Sequence, residues 1–593
     1  MVDNQNSGEE IRVGVYVCHC GGNISDVVNT AEVAEAMKVN PHVKVAKDFV
    51  FMCSDPGQNL IIEDIKANGI NRVVVAACSP ALHELTFRKA LERAGLNPYL
   101  FEHVNVREQV SWVHKGYKND ATQKAIRLTM AGVEKVTLQD SLLPNSVPAE
   151  DRALVIGAGV AGLRAAIASA GAGLQVTVVE KAEKPGGRVP DLGVIYPSNS
   201  SGLEIVNALL DEVKTHPSIS MLLHSEIDSI AGYVGNFIAK IRNCESGEIS
   251  AVRAGAIIIA TGYDNYTPAD GEIGYGHSPD VITLPNFLNL IQSQKKDTHE
   301  LMHNGKAIRN IGFVHCVGSR QVEGIHPPQA DGKVNDYCSR VCCTSTLNAI
   351  HLMLDRFPDM NVYDLYRDIR TYGRGHEDYY DRASQRGVLF FRYTEDGLPE
   401  FMADKSGRGG LLNLTDTLSY DEEVSIPVDM VVLATGMMPR NISNIISMLK
   451  LPVGADRFLQ EVHPKLRPVE LANQGILVAG TCQGPMDIGE SISAASATAT
   501  RAKILLAHPT IELDPFVARV DENRCDGCAL CLNECEYTGA LTISESEKGP
   551  KAVVNPAICV GCGACAAVCP PRAIQIAGWS LDQFDAMVDA ITA

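Results

Sequence analysis

The cysteine pattern near the C-terminus is the feature that most constrains how this chain can fold. From Cys525 to Pro570 the spacing C-x2-C-x2-C-x3-C occurs twice. Thiolates three residues apart in a tight loop can bind three irons of one [4Fe–4S] cubane. A segment organised around such clusters is small and rich in turns, so the more than 500 residues that precede it must form other domains.

The two cysteine runs match the ligand pattern of a two-cluster bacterial ferredoxin, in which the fourth cysteine of each run binds the other cluster. The predicted ligands of one cluster are Cys525, Cys528, Cys531 and Cys569, and those of the second are Cys559, Cys562, Cys565 and Cys535. The alternative is zinc, because C-x2-C pairs also bind zinc. Two interleaved four-cysteine runs favour the clusters.

Composition excludes several classes of function. A length of 593 residues suggests roughly four domains. The net charge of −19 argues against a nucleic-acid partner and fits a redox protein that docks on other proteins. No apolar run is long enough to predict a membrane span, and residues 1–10 form a polar tail without a signal core. We therefore expect a cytoplasmic protein, whose eighteen cysteines are metal ligands rather than disulfides.

A dinucleotide-binding fingerprint occurs in the second quarter of the chain. Gly157, Gly159 and Gly162 form G-x-G-x-x-G between an apolar strand and an alanine-rich helix. These glycines allow the tight turn, the approach of a pyrophosphate and the packing of helix on strand, and the helix N-terminus faces the phosphates. Glu180 ends the next strand, where a carboxylate would bind a ribose hydroxyl.

Further glycine-containing segments resemble the two-lobed flavoproteins of the thioredoxin reductase type. They are a Gly-Gly-Arg after the acidic residue, two strands that each end in Ala-Thr-Gly, and a final strand, loop and helix. The predicted cofactor-binding residues within them are Gly187, Arg188, Gly262, Gly436 and Gly480. In that family the first fingerprint holds FAD, and the last strand and helix close over the flavin ring. Thr481 stands where many relatives have Asp.

The second nucleotide site of such enzymes, which holds NAD(P)H, is degraded in this chain. Where its glycines are expected, the sequence reads His315-Cys316-Val317-Gly318. These side chains obstruct the close backbone approach that a pyrophosphate needs, so we predict no nicotinamide binding there. The competing hypothesis is a self-sufficient NAD(P)H-dependent oxidoreductase, in which NAD(P)H alone would reduce the flavin.

A second concentration of cysteines lies just beyond this strand. Within residues 316–343 the chain carries Cys316, Cys338, Cys342 and Cys343. We predict that these four thiols hold a third [4Fe–4S] cluster. The alternatives are a redox-active disulfide and buried thiols that pack like small apolar side chains.

Several long motifs resemble the A subunit of heterodisulfide reductase. They are "GVYVCHCGGNI", "MCSDPGQ", "RVVVAACSPALHE", "NPYLFEHVNVREQVSWVH", "HCVGSR" and "YCSRVCC". The resemblance implies an iron–sulfur flavoprotein that receives electron pairs from a hydrogenase or formate dehydrogenase module. Its FAD would bifurcate them, one stream passing to ferredoxin and the other, through B and C subunits, to the heterodisulfide of coenzymes M and B. The family's four-cysteine motif maps onto Cys316, Cys338, Cys342 and Cys343.

Two departures from that family limit what the resemblance implies. The extra ferredoxin domain that methanogen members insert into the flavin domain is absent. Asn348 stands where bifurcating members have a Lys near the flavin, which puts bifurcation in doubt. The alternatives are the related electron-transfer subunits of quinone-interacting, benzoyl-CoA reductase or methylene-tetrahydrofolate reductase complexes.

The N-terminal region ends three apolar runs in a cysteine. Cys18, Cys53 and Cys78 close these runs, and Cys20 lies just beyond the first. Because sites in parallel α/β sheets form at the carboxyl ends of the strands, these thiols either gather into a redox or metal site or pack this edge of the sheet.

The predicted architecture is α/β in several domains. The predicted segments are a disordered tail at 1–10, an N-terminal α/β domain at 11–141, a two-lobed thioredoxin-reductase-like FAD domain at 151–512, a C-terminal α+β ferredoxin domain with two [4Fe–4S] clusters at 515–578 and a docking helix at 579–593. The helix begins with a capping box at Ser580 and Gln583. Its apolar stripe consists of Leu581, Phe584, Met587 and Ile591, and we expect it to dock on the ferredoxin domain or on a partner.

The function predicted from these parts is electron transfer between FAD and iron–sulfur carriers of partner subunits. No catalytic acid, base or nucleophile of the chain's own is predicted, so substrate chemistry is assigned to a partner. A scaffold with vestigial cofactors is the third hypothesis, and it predicts little bound iron.

Overall fold

The computed structural model describes residues 10–295, 298–405 and 408–593, so residues 1–9 of the predicted tail lie outside the described residues. The described residues divide into two compact units, one that joins the residues up to Val147 with Glu512–Ala593 and one that spans Pro148–Ile511. In chain order the helices are α1 (Thr30–Met37), α2 (Asp55–Asn68), α3 (Pro80–Ala94), α4 (Lys118–Thr137), α5 (Val160–Gly171), α6 (Gly202–Thr215), α7 (Leu284–Ser293), α8 (Cys342–Arg356), α9 (His376–Gln385), α10 (Ser443–Leu449), α11 (Ile488–Leu505), α12 (Leu530–Asn533), α13 (Ala564–Ala567) and α14 (Leu581–Thr592).

The N-terminal part of the first unit is a parallel four-stranded sheet. Its strands lie in the order Val43–Phe49, Val13–Cys18, Arg72–Ala77 and Phe101–Asn105. The second and third strands are buried along their whole length, because α1 and α4 cover one face of the sheet and α2 and α3 the other. The predicted apolar runs are therefore strands; the first ends at Cys18, and the third ends one residue before Cys78.

The C-terminal part of the first unit has the α+β arrangement predicted for it. One antiparallel pair joins Ala518–Val520 to Ile574–Ile576, and the other joins Leu541–Ser546 to Gly549–Val554. The short helices α12 and α13 follow the cysteine loops. The core of these elements contains cysteines of both runs, so the fold of this segment is built around the thiols.

The C-terminal helix packs differently from our expectation. It begins after a capping box formed by Ser580 and Gln583, as predicted, but it lies against α4, where Gln583 Nε2 donates to Leu138 O at 3.2 Å. Leu581 and Phe584 remain 47% and 46% exposed. Most of the apolar stripe is therefore exposed, whereas Gln583 is buried in the contact.

The second unit consists of two lobes of similar design. The first lobe has a parallel sheet in the order Ile219–Leu222, Gln175–Val179, Arg152–Ile156, Ala256–Ile259 and Ile476–Val478. The parallel sheet of the second lobe runs in the order Val281–Thr283, Met430–Thr435, Asn310–Val317, Asn361–Tyr366 and Leu389–Arg392.

Each lobe also carries a three-stranded antiparallel sheet. These sheets consist of Ser225–Tyr233, Asn236–Asn243 and Ile249–Ala254 in the first lobe, and of Glu400–Ala403, Gly410–Asp416 and Glu422–Val428 in the second. The segment between the predicted N-terminal and FAD domains contains a short strand, Asn145–Pro148. Within the described ranges, the helices are all too short or too polar to cross a membrane.

Candidate functional site: a flavin cavity beside a group of cysteines

A large cavity opens at the carboxyl ends of the strands of the first lobe, where α/β sheets form their sites. Its volume is about 1510 Å³, larger than the usual 300–1,000 Å³ of a small-molecule pocket. Six of the predicted cofactor residues line it, namely Gly157, Gly159, Glu180, Gly187, Arg188 and Gly262.

The glycine turn fits a pyrophosphate. Gly157 has a φ of +106° and lies against the carbonyl of Ala260, so a side chain there would be both strained and obstructed. A Cβ on Gly159 would meet only the Cα of Gly187, at 3.9 Å, and would otherwise point into the cavity. The space that this missing side chain leaves is the space that a phosphate needs.

The acidic residue and a helix N-terminus complete the binding groups. Glu180 accepts hydrogen bonds from the N–H of Ala158 at 2.7 Å and of Ala182 at 2.8 Å, which fix its carboxylate beside the glycine turn. The long helix α11 begins behind a capping box of Asp487 and Glu490, and its first turn lines the cavity. The positive end of its dipole therefore faces the ligand.

The remaining predicted glycines serve packing. Within the described part of the chain, Gly162, Gly436 and Gly480 are not in the wall of the cavity. A Cβ on Gly436 would lie 2.7 Å from Ser339 Oγ, and one on Gly480 would lie 2.6 Å from the Cβ of Ala161. Glycine is required there because the backbone approaches its neighbours closely.

Sequence reasoning missed several residues of the wall. Among the described residues, the buried hydroxyl of Thr435 lines the cavity without a hydrogen-bond partner, which leaves it available to a ligand. Arg340 and Tyr372 also line the cavity. Arg340 lies inside the "YCSRVCC" motif, whereas Tyr372 belongs to a loop without any pattern that marks it.

Asn348, at the position where a Lys was expected, is tied into the cavity wall. Its Nδ2 donates to Val194 O at 2.7 Å, and its Oδ1 accepts from the hydroxyl of Tyr379 at 2.9 Å. The ring of Tyr379 in turn stacks on that of Tyr196 at 3.8 Å. A neutral side chain with both ends engaged supplies no positive charge to a flavin.

The four cysteines predicted for a third cluster come together. The thiol of Cys316 interacts electrostatically with those of Cys338 and Cys343, and Cys342 interacts with all three others. The backbone N–H of Arg340 donates to Cys338 Sγ at 3.3 Å. A hydrogen bond from the thiol of Cys342 and the charge of the His315 imidazolium lower the pKa of Cys343. The same hydrogen bond raises the pKa of Cys342, and burial raises the pKa of Cys316.

Cys342 belongs to both sites. It is the first residue of α8 and a member of the cysteine group, and it also lines the flavin cavity. The cysteine group and the flavin cavity therefore share a wall residue.

An aromatic ring covers the turn that stands where the second nucleotide-binding site is expected. Gly318 follows the strand with a φ of +73°, and any Cβ there would fall within the ring of Tyr266. The hydroxyl of Tyr266 is fixed to Glu272 at 2.8 Å. The backbone that would cradle a second pyrophosphate is therefore covered.

The C-terminal cysteines also form groups, with the crossed pattern predicted from their spacing. A small cavity is lined by the first three cysteines of one run and the last of the other, namely Cys525, Cys528, Cys531 and Cys569. Cys565 interacts with Cys559, Cys562 and Cys535 and also with Cys531 of the other group, and burial raises the pKa of Cys565 to about 11. In the described ranges no three His, Cys, Asp or Glu side chains close around a single ion, whereas the ligands of a cubane surround four irons.

The N-terminal cysteines gather at the carboxyl edge of their sheet. Cys18 Sγ accepts from the N–H of Cys20 at 3.3 Å, and Arg107 Nη1 donates to Cys20 Sγ at 3.3 Å. Cys53 and Cys78 both interact with Cys20, and burial raises the pKa of Cys78 to about 12. The four thiols and one cation thus lie together at this edge of the sheet, where Cys18, Cys20 and Cys53 also pack with the apolar core.

Comparisons with known proteins identify the family of the chain. The 4Fe-4S dicluster domain family matches residues 524–573, and the pyridine nucleotide-disulphide oxidoreductase family matches residues 151–300. The chain is 37% identical to an iron-sulfur A subunit of the CoB–CoM heterodisulfide reductase of Methanopyrus kandleri, over 91% of its own length and 92% of the relative. The chain belongs to the heterodisulfide reductase A-subunit family.

Other members and a solved structure give similar matches. The A subunit of the H(2):CoB-CoM heterodisulfide,ferredoxin reductase of Methanothermobacter thermautotrophicus is 35% identical over 91% of both chains. A thioredoxin reductase from T. acidophilum covers 60% of this chain and 100% of its own, with a TM-score of 0.42 and 15% identity. As a member of the heterodisulfide reductase A-subunit family, the chain is an oxidoreductase subunit that carries FAD and [4Fe–4S] clusters and transfers electrons.

Proposed function

We propose that this chain passes electrons between FAD and a [4Fe–4S] cluster held by Cys316, Cys338, Cys342 and Cys343. The observation that carries the proposal is the double position of Cys342, which is a member of the cysteine group and a wall residue of the flavin cavity. FAD supplies the exchange between electron pairs and single electrons, and the protein supplies its position and its electrostatics.

The C-terminal thiols extend this relay to other proteins. We assign Cys525, Cys528, Cys531 and Cys569 to one cluster and Cys559, Cys562, Cys565 and Cys535 to the other. Cys528 and Cys562 are exposed, so these clusters would lie close to the protein surface. A carrier near the surface is suited to exchange with a partner subunit.

The proposed partners are B-like and C-like subunits, a hydrogenase or formate dehydrogenase donor module, and ferredoxin. Support comes from the names of the relatives, which describe A subunits that act with H2, ferredoxin or the CoB–CoM heterodisulfide. The quinone-interacting, benzoyl-CoA reductase and methylene-tetrahydrofolate reductase complexes are the alternative settings. The proposal places the protein in the cytoplasm, the compartment in which free thiols and clusters persist.

Electron bifurcation is a separate extension of the proposal. It would divide an electron pair from FAD between ferredoxin and the heterodisulfide-reducing subunits. The neutral, hydrogen-bonded Asn348 does not favour it, and the electron relay does not depend on it.

The test is anaerobic purification of the native complex, identification of its subunits by mass spectrometry and assay of each candidate donor. A heterodisulfide-reductase B-like subunit, together with flavin reduction by the donor module, supports the proposal. Rapid reduction of the flavin by NAD(P)H in the isolated chain contradicts it, because Tyr266 covers the second nucleotide turn.

A further inference from the structure

Arg340 connects the cysteine group to the helix that closes the flavin cavity. It lies between two of the grouped cysteines in the sequence. Its backbone N–H donates to Cys338 Sγ at 3.3 Å, while its guanidinium reaches the other side of the cavity. Arg340 Nη2 donates to Glu490 Oε1 at 2.6 Å, and Nη1 donates to Pro485 O at 3.0 Å.

The far end of this connection is the N-terminus of α11. Glu490 uses its second carboxylate oxygen to accept from the N–H of Asp487 at 3.0 Å, which completes the capping box. Asp487 itself lines the flavin cavity. Arg340 is therefore hydrogen-bonded both to a proposed cluster ligand and to the helix end that would contact the flavin.

The backbone and the guanidinium of Arg340 are both held by their surroundings. The residue has a φ of +62°, a left-handed conformation that a long side chain adopts only when its surroundings hold it there. Its guanidinium also lies 5.0 Å from the ring centre of Tyr372, another wall residue. Arg is suited to this task because its planar fork bonds two acceptors at once, which the single ammonium of Lys does not reproduce.

We propose that Arg340 is a positioning residue that fixes the separation and orientation of the FAD cavity relative to the cluster of Cys316, Cys338, Cys342 and Cys343. This inference rests on the proposed flavin-to-cluster relay and adds a residue to it. The step that it serves moves one electron from reduced flavin to oxidised cluster and makes or breaks no bond. Arg340 sets the distance over which the electron moves. It is itself neither oxidised nor reduced, and it transfers no proton.

The experiment compares four forms of the full chain, each purified anaerobically with its cofactors, namely the wild type, R340Q, R340K and E490Q. FAD is reduced by a light flash in the presence of a sacrificial amine as electron donor, and the reduction of the cluster is followed by its absorbance and EPR signals. R340Q should slow the transfer measurably, because the rate of electron tunnelling falls exponentially with the distance between the two carriers. R340K should fall between R340Q and the wild type.

The matched control is R309Q. Arg309 is an exposed arginine of the same unit that pairs with Glu300 at 2.9 Å, and its substitution should leave the transfer rate unchanged. Because E490Q breaks the same ion pair from the helix side, it should slow the transfer without touching the cysteine loop. The double variant R340Q/E490Q should be no slower than R340Q alone, since both remove one interaction.

Each outcome decides the inference. If R340Q keeps its FAD and iron and transfers at the wild-type rate, Arg340 has no positioning role. If R340Q loses its cluster, E490Q decides, and an unchanged rate in E490Q overturns the inference. Failure of the wild type and R309Q to reduce the cluster from the flavin would instead overturn the proposed relay itself.

Discussion

His315 Nε2 and Asp364 Oδ1 lie 2.6 Å apart, and both side chains are fully buried. His315 precedes Cys316 in the sequence, and its ring also interacts with the thiol of Cys343. The charge of Asp364 overcomes the effect of burial and raises the pKa of His315. A buried ion pair thus stands directly behind the cysteine group, where it holds a positive charge against the thiolates.

Removal of the acidic partner should destabilise the second unit. In Asp364→Asn the imidazolium would be left buried without its counter-charge, which costs about 3–5 kcal/mol. Chemical denaturation followed by circular dichroism measures the change. Glu300→Gln, which breaks an exposed ion pair with Arg309, should cost less than about 1 kcal/mol, and equal effects of the two substitutions would contradict this account.

Removal of the cation should shift the cluster potential. His315→Asn takes a positive charge away from the thiolates, and the reduced cluster, which carries the extra electron, loses more stabilisation than the oxidised one. The midpoint potential of this cluster should fall, by about 60 mV for each tenfold change in the equilibrium. A redox titration followed by EPR gives the value, and an unchanged potential would mean that His315 has only a packing role.

The iron content should identify the ligands. Three clusters correspond to about 12 iron atoms per chain, and Cys338→Ser should lower the content by about four. Cys244, which is exposed and apart from all of the cysteine groups, supplies the control, since Cys244→Ser should retain all of the iron. About 8 irons in the wild type would show that the third cluster is absent. About 16 irons would assign a further cluster to the N-terminal cysteine group.

The flavin site should depend on the space at Gly159. Gly159→Val would fill the cavity beside the glycine turn without straining the backbone, whose φ of −74° suits any residue. We expect the variant to fold and to lose its flavin absorbance. Gly171→Ala on the same helix meets open space, so it should keep the flavin. Retention of stoichiometric FAD by Gly159→Val would place the cofactor elsewhere.

Acid should lower the unfolding free energy of the first unit, because His103 is buried there. Burial lowers the pKa of this side chain to about 3, whereas an unfolded histidine titrates near 6.5. The unfolded state therefore binds the proton more tightly, so stability is complete above pH 6.5 and falls as the pH drops toward 3. At pH 5 the loss is about 2 kcal/mol.

His103→Phe should remove this part of the pH dependence, because a phenyl ring fits the edge-on packing of His103 against Phe87. Both tryptophans of the chain, Trp112 and Trp579, lie in the same unit, so their fluorescence reports its denaturation. Between pH 7.5 and pH 5 the wild type should lose about 2 kcal/mol more of its unfolding free energy than the variant does. Parallel pH profiles would contradict the assignment to His103.

The sequence predicted the parts of the site that depend on residues close together in the chain. Gly159 and its neighbours are required by one turn, and the cysteines of the C-terminal runs are required by one cluster geometry, so spacing alone identified them. Arg340 has no such signal, because its role depends on Glu490, which lies 150 residues further along the chain. Long-range side-chain pairs leave no periodic pattern in a single sequence.

Dependence on residues distant in the sequence also explains why α14 packs differently from our expectation. The capping box at Ser580 fixed where α14 begins, but amphipathicity does not show which neighbour a helix will choose. The helix lies on α4, which belongs to the N-terminal part of the chain, and its Gln583 is buried there while Phe584 is exposed. Which segments join into one unit is decided by tertiary packing, which local propensity does not encode.

The most direct test of the relay is reduction of the flavin by light in the wild type and in Cys338→Ser, with the cluster EPR signals recorded after each flash. In the wild type, the signal of the Cys316–Cys343 cluster should appear as reduced flavin disappears, and the C-terminal clusters should follow. In Cys338→Ser the flavin should remain reduced and the C-terminal clusters oxidised. Equal reduction of the C-terminal clusters in both proteins would show that electrons leave FAD by another route and would contradict the account.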